Sequence, residues 1–168
     1  MRLAILSDIH DEQEHLQSVL GHLAFLKPDA LILCGDLTAP AILEQCHAAF
    51  TPLAFCLGNC DRSRADALME DAGLLGAAAW DSVGVFPLPE GGSVAFAHFP
   101  HLARRAALTG RHSAVFYGHT HRVAEERLRL EDGSSVLLAN PGDVQGRYGR
   151  VGGLLWDSSD SACMFFRV

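Results

Sequence analysis

Three short apolar runs, each cut off by a polar residue, constrain this chain more than anything else in it. Leu3 to Leu6 stops at Ser7-Asp8, Ala30 to Cys34 stops at Gly35-Asp36, and Leu53 to Leu57 stops at Gly58-Asn59. Apolar runs this short, bounded by turn residues, read as strands buried on both faces. Between the first two, Leu16, Val19, Leu20 and Leu23 form one helical stripe within Asp11 to Phe25. Asp11 with Glu14 three residues later resembles a capping arrangement for that helix. Ala41 to Phe50 and Arg62 to Ala72 also read as helical, with Asp61 the expected cap of the latter. Strand and helix alternating three times imply a parallel sheet layered with helices.

After Gly73 the pattern becomes β-rich. Strands are expected near Val83 to Phe86, Ser93 to Ala97, Ala114 to Tyr117, Val123 to Leu130 and Ser135 to Ala139, with a final pair at Leu154 to Trp156 and Met164 to Val168. Glu131-Asp132-Gly133 marks a hairpin, and one more helix is expected near Leu102 to Leu108. No linker or repeat interrupts the 168 residues, so residues 1–168 are expected to form one α/β domain in which two sheets share a core.

Composition removes several function classes. Apolar residues make up 49% and charged residues 20%, which excludes general disorder. The net charge is −7 with only 13 Lys and Arg, so no extended nucleic acid surface is expected. No stretch approaches the ~20 apolar residues of a membrane span. The N-terminal apolar run is too short for a signal-peptide core, and the expected location is cytoplasmic. The five cysteines have no CxxC spacing, which argues against a zinc ribbon or disulfide framework.

The nine histidines point to chemistry instead. Each early strand ends in a potential ligand: Asp8 and His10, then Asp36, then Asn59 and Asp61. Later strands deliver His98, and then His119 and His121. Ligands of open α/β sheets bind beyond the carboxyl ends of the strands, where these groups should meet. Asp8, His10, Asp36, Asn59, His98, His119 and His121 are too many donors for one ion and suit two. Oxygen and nitrogen donors without a thiolate set fit Mn²⁺, Fe²⁺, Zn²⁺ or Ni²⁺. Two divalent cations against the carboxylates of Asp8 and Asp36 leave a centre of about +2, which attracts phosphate and acidifies a bound water.

Asp8-Ile9-His10, Gly35-Asp36, Gly58-Asn59-Cys60-Asp61, His98 and Gly118-His119-Thr120-His121 resemble, in order and spacing, the motif series of the calcineurin-like metallophosphoesterases. With Cys60 after the Asn and the late Asn140-Pro141-Gly142, the chain is most similar to their compact bacterial and archaeal phosphodiesterase branch (YfcE-like). The resemblance implies a two-sheet sandwich flanked by helices, in four layers α/β/β/α. It implies that Asp8, His10 and His121 hold a first metal and Asn59, His98 and His119 a second, with Asp36 bridging. Manganese is the first expectation, with iron, zinc or nickel as alternatives. The implied reaction is hydrolysis of a small phosphoester by in-line attack of a metal-bridging hydroxide, and relatives imply a homodimer. The same resemblance leaves two other readings open: a phosphomonoesterase, and a metal-binding scaffold or regulatory module, since the fold also serves a non-catalytic scaffold subunit of a membrane-coat complex.

Three departures matter. Cys60 stands where the superfamily usually has a histidine that protonates the leaving group, so acidic leaving groups are expected. The fourth motif reads His98-Phe99-Pro100-His101, so the ligand is His98, directly after the strand, or His101, otherwise a neighbour of substrate. Asp143 follows Asn140-Pro141-Gly142 where Ser is common, which weakens any phosphate contact expected from that loop. Cys60, His101, Arg62 and Arg147 are the expected substrate-side residues; for Arg62, Arg147 and Arg150 a solvated loop charge is the competing reading. His15, His22, His47 and His112 read as surface residues.

Overall fold

A computed structural model describes residues 1–168. Sheet A has six strands: β1 (Arg2–Leu6), β2 (Ala30–Leu33), β3 (Leu53–Cys56) and β4 (Ala78–Trp80), parallel, and β10 (Gly152–Asp157) and β11 (Ala162–Arg167), which close it antiparallel in the order β11-β10-β1-β2-β3-β4. Sheet B comprises β5 (Val83–Pro87), β6 (Ser93–Ala97), β7 (Ala114–Tyr117), β8 (Val123–Arg129) and β9 (Ser135–Pro141), in the order β5-β6-β7-β9-β8. Helices α1 (Gln13–Leu26), α2 (Pro40–Ala49) and α3 (Ala65–Leu75) cover sheet A, and α4 (Pro100–Ala107) covers sheet B.

The apolar runs are continuous because each strand is buried on both sides. Ala4 and Leu6 of β1 face the helices, in a layer with Leu16, Val19 and Leu23 of α1. Leu3 and Ile5, one residue out of phase, face the second sheet with Ile32, Phe96, Phe116 and Trp156. A smaller layer, including Ala97, Ala103, Ala107 and Val115, joins sheet B to α4. The result is the expected four-layer α/β/β/α sandwich, its two sheets sharing the central core.

Local details depart from the expectation in three places. Helix α1 begins at Gln13 with Glu12 at its N-cap and no side-chain cap, so Asp11 and Glu14 do not form the capping arrangement. Asp11 has a left-handed backbone instead (φ 62), part of the turn that presents His10. The expected helix from Arg62 is a 3₁₀ turn (Arg62–Arg64) followed by α3, and Asp61 makes no side-chain cap to either. Strand β4 has no periodic signal in Ala78-Ala79-Trp80 and is fixed by pairing with β3.

Candidate metal centre

The parallel strands β1, β2 and β3 end at the same edge of sheet A, and β6 and β7 end opposite them in sheet B. The polar residues after those strands therefore meet at one end of the sandwich. Asp8, Asp36 and His98 are 0%, 2% and 1% exposed, a degree of burial that ionisable groups rarely reach without a partner.

Asp36 Oδ2 lies 3.5 Å from His10 Nε2 on one side and 3.5 Å from His98 Nε2 on the other. Around the first half, His121 Nε2 is 3.5 Å and His10 Nε2 3.8 Å from Asp8 Oδ1. Around the second, His98 Nε2, Asn59 Oδ1 and His119 Nδ1 are mutually 3.0 to 3.1 Å apart. Donors bound at ~2.1 Å to one ion stand ~3.0 Å apart at right angles and ~3.4 Å apart in a tetrahedron. The second half has that spacing, the first is somewhat wider at 3.5 to 3.8 Å, and Asp36 Oδ2 belongs to both.

Proton positions sharpen the reading. The Cys34 carbonyl can only accept, so His98 Nδ1, 2.9 Å away, carries the proton. The Nε2 of a neutral His98 then aims a lone pair at Asn59 Oδ1, another acceptor. That contact is repulsive unless a proton or cation lies between them. His121 Nδ1 donates to Asp143 Oδ2 at 2.8 Å, which likewise frees its Nε2 lone pair toward Asp8. His10 Nε2 is buried without any hydrogen-bond partner, its 3.8 Å approach to Asp8 being too long for one. An orphaned imidazole nitrogen among converging lone pairs fits a pair of divalent cations.

The backbone is bent to make this cluster. Asp8, His10, Asp36, His119 and His121 all have left-handed φ between 51° and 69°. Such conformations cost on the order of 1–3 kcal/mol each in a residue with a Cβ and concentrate at functional sites. The neighbouring glycines leave room for the ligands. A Cβ on Gly58 would collide with Asp36 Oδ1, and one on Gly118 with Ser7 Oγ and Asp8 Oδ2.

Charge is managed by hydrogen bonds. Asp8 Oδ2 accepts from Ser7 Oγ at 2.7 Å and from the His119 amide at 2.9 Å. Burial pushes the Asp8 carboxyl up, but His10, Ser7, His98 and His121 together outweigh it and hold it below its ordinary value. The carboxylate of Asp8 raises His10, against the opposing effect of burial and with help from Asp36 and Asp61. A field that favours positive charge at His10 also draws a metal cation.

The second layer contains residues whose roles the sequence did not reveal. Asp61 is completely buried and accepts the backbone amides of Asp36, Thr38 and Gly58 at 2.7 to 2.8 Å. It ties the second ligand loop to the third. Asp143 orients His121 and accepts the Arg147 amide at 3.0 Å. Asn140 donates to the Gly118 carbonyl and Thr120 Oγ1, and accepts from the Gly142 amide.

The substrate-side residues divide. Cys60 lies at the cluster: its amide donates to Asp36 Oδ1 at 2.8 Å, and its sulfur accepts from Asn59 Nδ2, turning Asn59 Oδ1 inward. Burial, then the hydrogen bond and charge of Asp36, push its thiol up to about 11. His101 is exposed on the first turn of α4, its ring tilted against Phe99 at 5.7 Å between centroids and outside the cluster that His98 joins. Arg62 is exposed and paired with Asp81 at 2.6 Å. The side chain of Arg147 is exposed on the loop after Gly146. Of the four ordinary histidines, His15 contacts the Gln145 carbonyl and His22 packs on Phe166; none joins the cluster.

Comparison with known proteins places the chain in a family and a fold. A family model described as a calcineurin-like phosphoesterase superfamily domain matches residues 1–158. A solved archaeal phosphodiesterase is similar over the whole of both chains, at 21% identity and a TM-score of 0.84. The phosphoesterase YfcE from E. coli matches at 22% identity and a TM-score of 0.68, over 100% of this chain and 98% of that one. A Vps29 variant from Entamoeba histolytica shares the fold at 13% identity and a TM-score of 0.67, over 100% and 99% of the two chains. No curated protein gives a significant sequence match. No helix is long and apolar enough to cross a membrane.

Proposed function

The chain belongs to the calcineurin-like phosphoesterase superfamily, and on that premise we propose that it is a dinuclear-metal phosphodiesterase acting on small phosphoesters, with manganese the first candidate ion. The observation that carries the reading is the shared Asp36 Oδ2, equidistant from His10 on one side and His98 on the other. Asp8, His10 and His121 would hold one ion, Asn59, His98 and His119 the other, with Asp36 between them. Bound there, the ions would acidify a water and neutralise charge on the phosphoryl oxygens.

The protein's own groups prepare that chemistry. Ser7 and the Cys60 amide hold the two carboxylates in place, Asp61 holds the Asp36 backbone, and Asp143 fixes the His121 tautomer. The centre lies at the rim of the sandwich, where Asn59, Cys60 and His119 are exposed and a phosphoester can approach. No imidazole follows Asn59 to protonate a leaving group. A Cys60 thiol held at about 11 gives up its proton poorly. This favours esters whose leaving group departs without help, and so diesters with an acidic alcohol over monoesters of simple alcohols. The intact donor set favours an enzyme over a scaffold built on the same fold.

Elemental analysis of the purified protein and hydrolysis of bis(p-nitrophenyl) phosphate with added Mn²⁺, Fe²⁺, Zn²⁺ or Ni²⁺ test the proposal. The expected result is about two ions per chain and metal-dependent release of p-nitrophenol, lost in Asp36→Ala. Protein that binds none of these ions and stays inactive with all of them would overturn it.

A further inference from the structure

A cavity of about 540 Å³ adjoins the candidate metal centre, within the size range of small-molecule sites. His121 and Asp143 form the shared wall. Every element around the cavity reaches the metal end of the sandwich. Strand β10 starts there, because it runs antiparallel to β1 with Ile5 opposite Leu154, and β11 ends there, with Arg167 opposite Gly152. Strand β9, parallel to β7, ends there too, and Val123 opens β8 opposite Pro141. A substrate whose phosphate sits at the metals can therefore extend into this space.

The lining has two chemical characters. Arg122, Arg150 and Arg167 are exposed, and none forms a salt bridge. The one carboxylate, Asp143, is already engaged by His121 and the Arg147 amide. Arg167 also donates to the Gly149 carbonyl at 3.0 Å, but in a chain of net charge −7 three guanidiniums without a carboxylate partner around one cavity are a concentrated anion site. The rest of the wall is uncharged and carries three aromatic rings, those of Phe165, Phe166 and Tyr148, over the last of which Arg122 lies at 5.0 Å from the centroid. A simple phosphoester needs neither feature.

Resting on the phosphodiesterase reading of the adjoining site, we infer that this cavity is a specificity subsite for a nucleotide substituent. It takes a flat base against Tyr148 and Phe165 and a second phosphate at the arginines. The preferred substrate is thus a nucleoside phosphodiester that carries another phosphate.

Binding is measured without turnover, so it stands apart from catalysis. Adenosine 3′,5′-bisphosphate, adenosine 5′-monophosphate and inorganic pyrophosphate are titrated by calorimetry into chelator-treated protein. The bisphosphate is expected to bind about ten-fold more tightly than either other probe, and Arg122→Ala/Arg150→Ala to abolish that advantage. Equal affinity for the two nucleotides, an advantage that survives the double variant, or no binding at all would overturn the subsite. Equal affinity for pyrophosphate would overturn its nucleotide character. For turnover, p-nitrophenyl esters of thymidine 5′-phosphate with and without a 3′-phosphate are compared within one preparation, so the folded fraction cancels. The ratio of kcat/KM should favour the 3′-phosphorylated ester in wild type and fall about ten-fold in the double variant. Hydrolysis of bis(p-nitrophenyl) phosphate without that preference would remove the subsite and leave the phosphodiesterase reading intact. Bisphosphate binding without hydrolysis of any diester would do the reverse.

Discussion

Asp61 illustrates how much of the centre depends on a residue that touches no candidate ligand side chain. Its carboxylate is the only acceptor for three buried or half-buried amides on two ligand loops. A helix cap replaced by alanine costs ~1 kcal/mol, whereas orphaning several amides costs roughly 3 kcal/mol or more. Asp61→Ala should therefore lower unfolding free energy by about the larger figure in urea denaturation and weaken metal binding as well. Asp61→Asn keeps one acceptor oxygen and should fall between. A loss near the capping value would mean that the loops hold themselves. His10 carries a prediction of opposite sign in the two states of the centre. Its pKa is raised by Asp8, so in metal-free protein the pairing stabilises the fold fully below the ordinary histidine value of about 6.5 and is lost as pH rises through the raised value. Metal binding must displace that proton, so metal affinity should climb over the same window. Asp8, held low, stays ionised throughout it. Metal titrations from about pH 6 to about pH 8 should show dissociation constants falling with pH, and His10→Gln should flatten the trend. A pH-independent affinity in the wild type would remove proton competition at His10.

At the scale of elements, the strand ends deliver the ligands and the strands beyond them keep the loops in register. Asn140, buried at the end of β9, bonds both ways across to the Gly118–His121 turn and to its own Gly142 amide. Asn140→Ala should cost about 1–3 kcal/mol by leaving those groups unmatched. Asn140→Asp should cost more, because a carboxylate would face the Gly118 carbonyl with no proton to share. Thermal melts of the two variants give the order, and alanine proving the worse would show that packing dominates there. This element also marks the limit of what is legible in the sequence. The seven candidate donors could be read because each stands within four residues of the end of an apolar run, and strand ends are where α/β sheets present ligands. Choosing His98 over His101 needed only its place directly after the strand. The partners that tie Asn140, Asp61 and Asp143 to other loops lie 20 or more residues away along the chain, where neither spacing nor periodicity points to them. Asp61 stands beside a helical stretch, so its local context suggested a cap, and tertiary hydrogen bonding overrode it. Strand β4 was hidden for a related reason: its three residues have strand geometry only because β3 offers them an edge.

For the whole molecule, the position of the centre turns metal binding into a stability question. Asp8, Asp36 and Asn59 come from sheet A, and His98, His119 and His121 from sheet B. Behind them the two sheets are joined by an apolar layer, and at this rim by the cluster together with the Val144 and Gln145 amides, which donate to the Ser7 and Asp8 carbonyls. Ions held by both sets of donors would cross-link the sheets at the one place where the sandwich is polar. Without ions, the buried carboxylates of Asp8 and Asp36 are left with the Ser7, His119 and Cys60 hydrogen bonds and the charge that His10 can carry. Ligand binding to the folded state alone stabilises it by RT ln(1 + [L]/Kd), or about 2.7 kcal/mol at a hundred-fold excess over Kd. A melt with saturating Mn²⁺ should thus lie several degrees above one with chelator, as a single transition in each case. Asp36→Asn should abolish this difference, because the bridging oxygen then carries no charge for either ion. The chelated variant should melt no lower than chelated wild type, since one of two neighbouring buried carboxylates has gone while the amide oxygen still accepts from Cys60. The combination matters. A variant that loses the metal shift while keeping the metal-free melting point has lost a ligand and not the fold, whereas a drop in both would mean that Asp36 serves the sandwich as much as the ions.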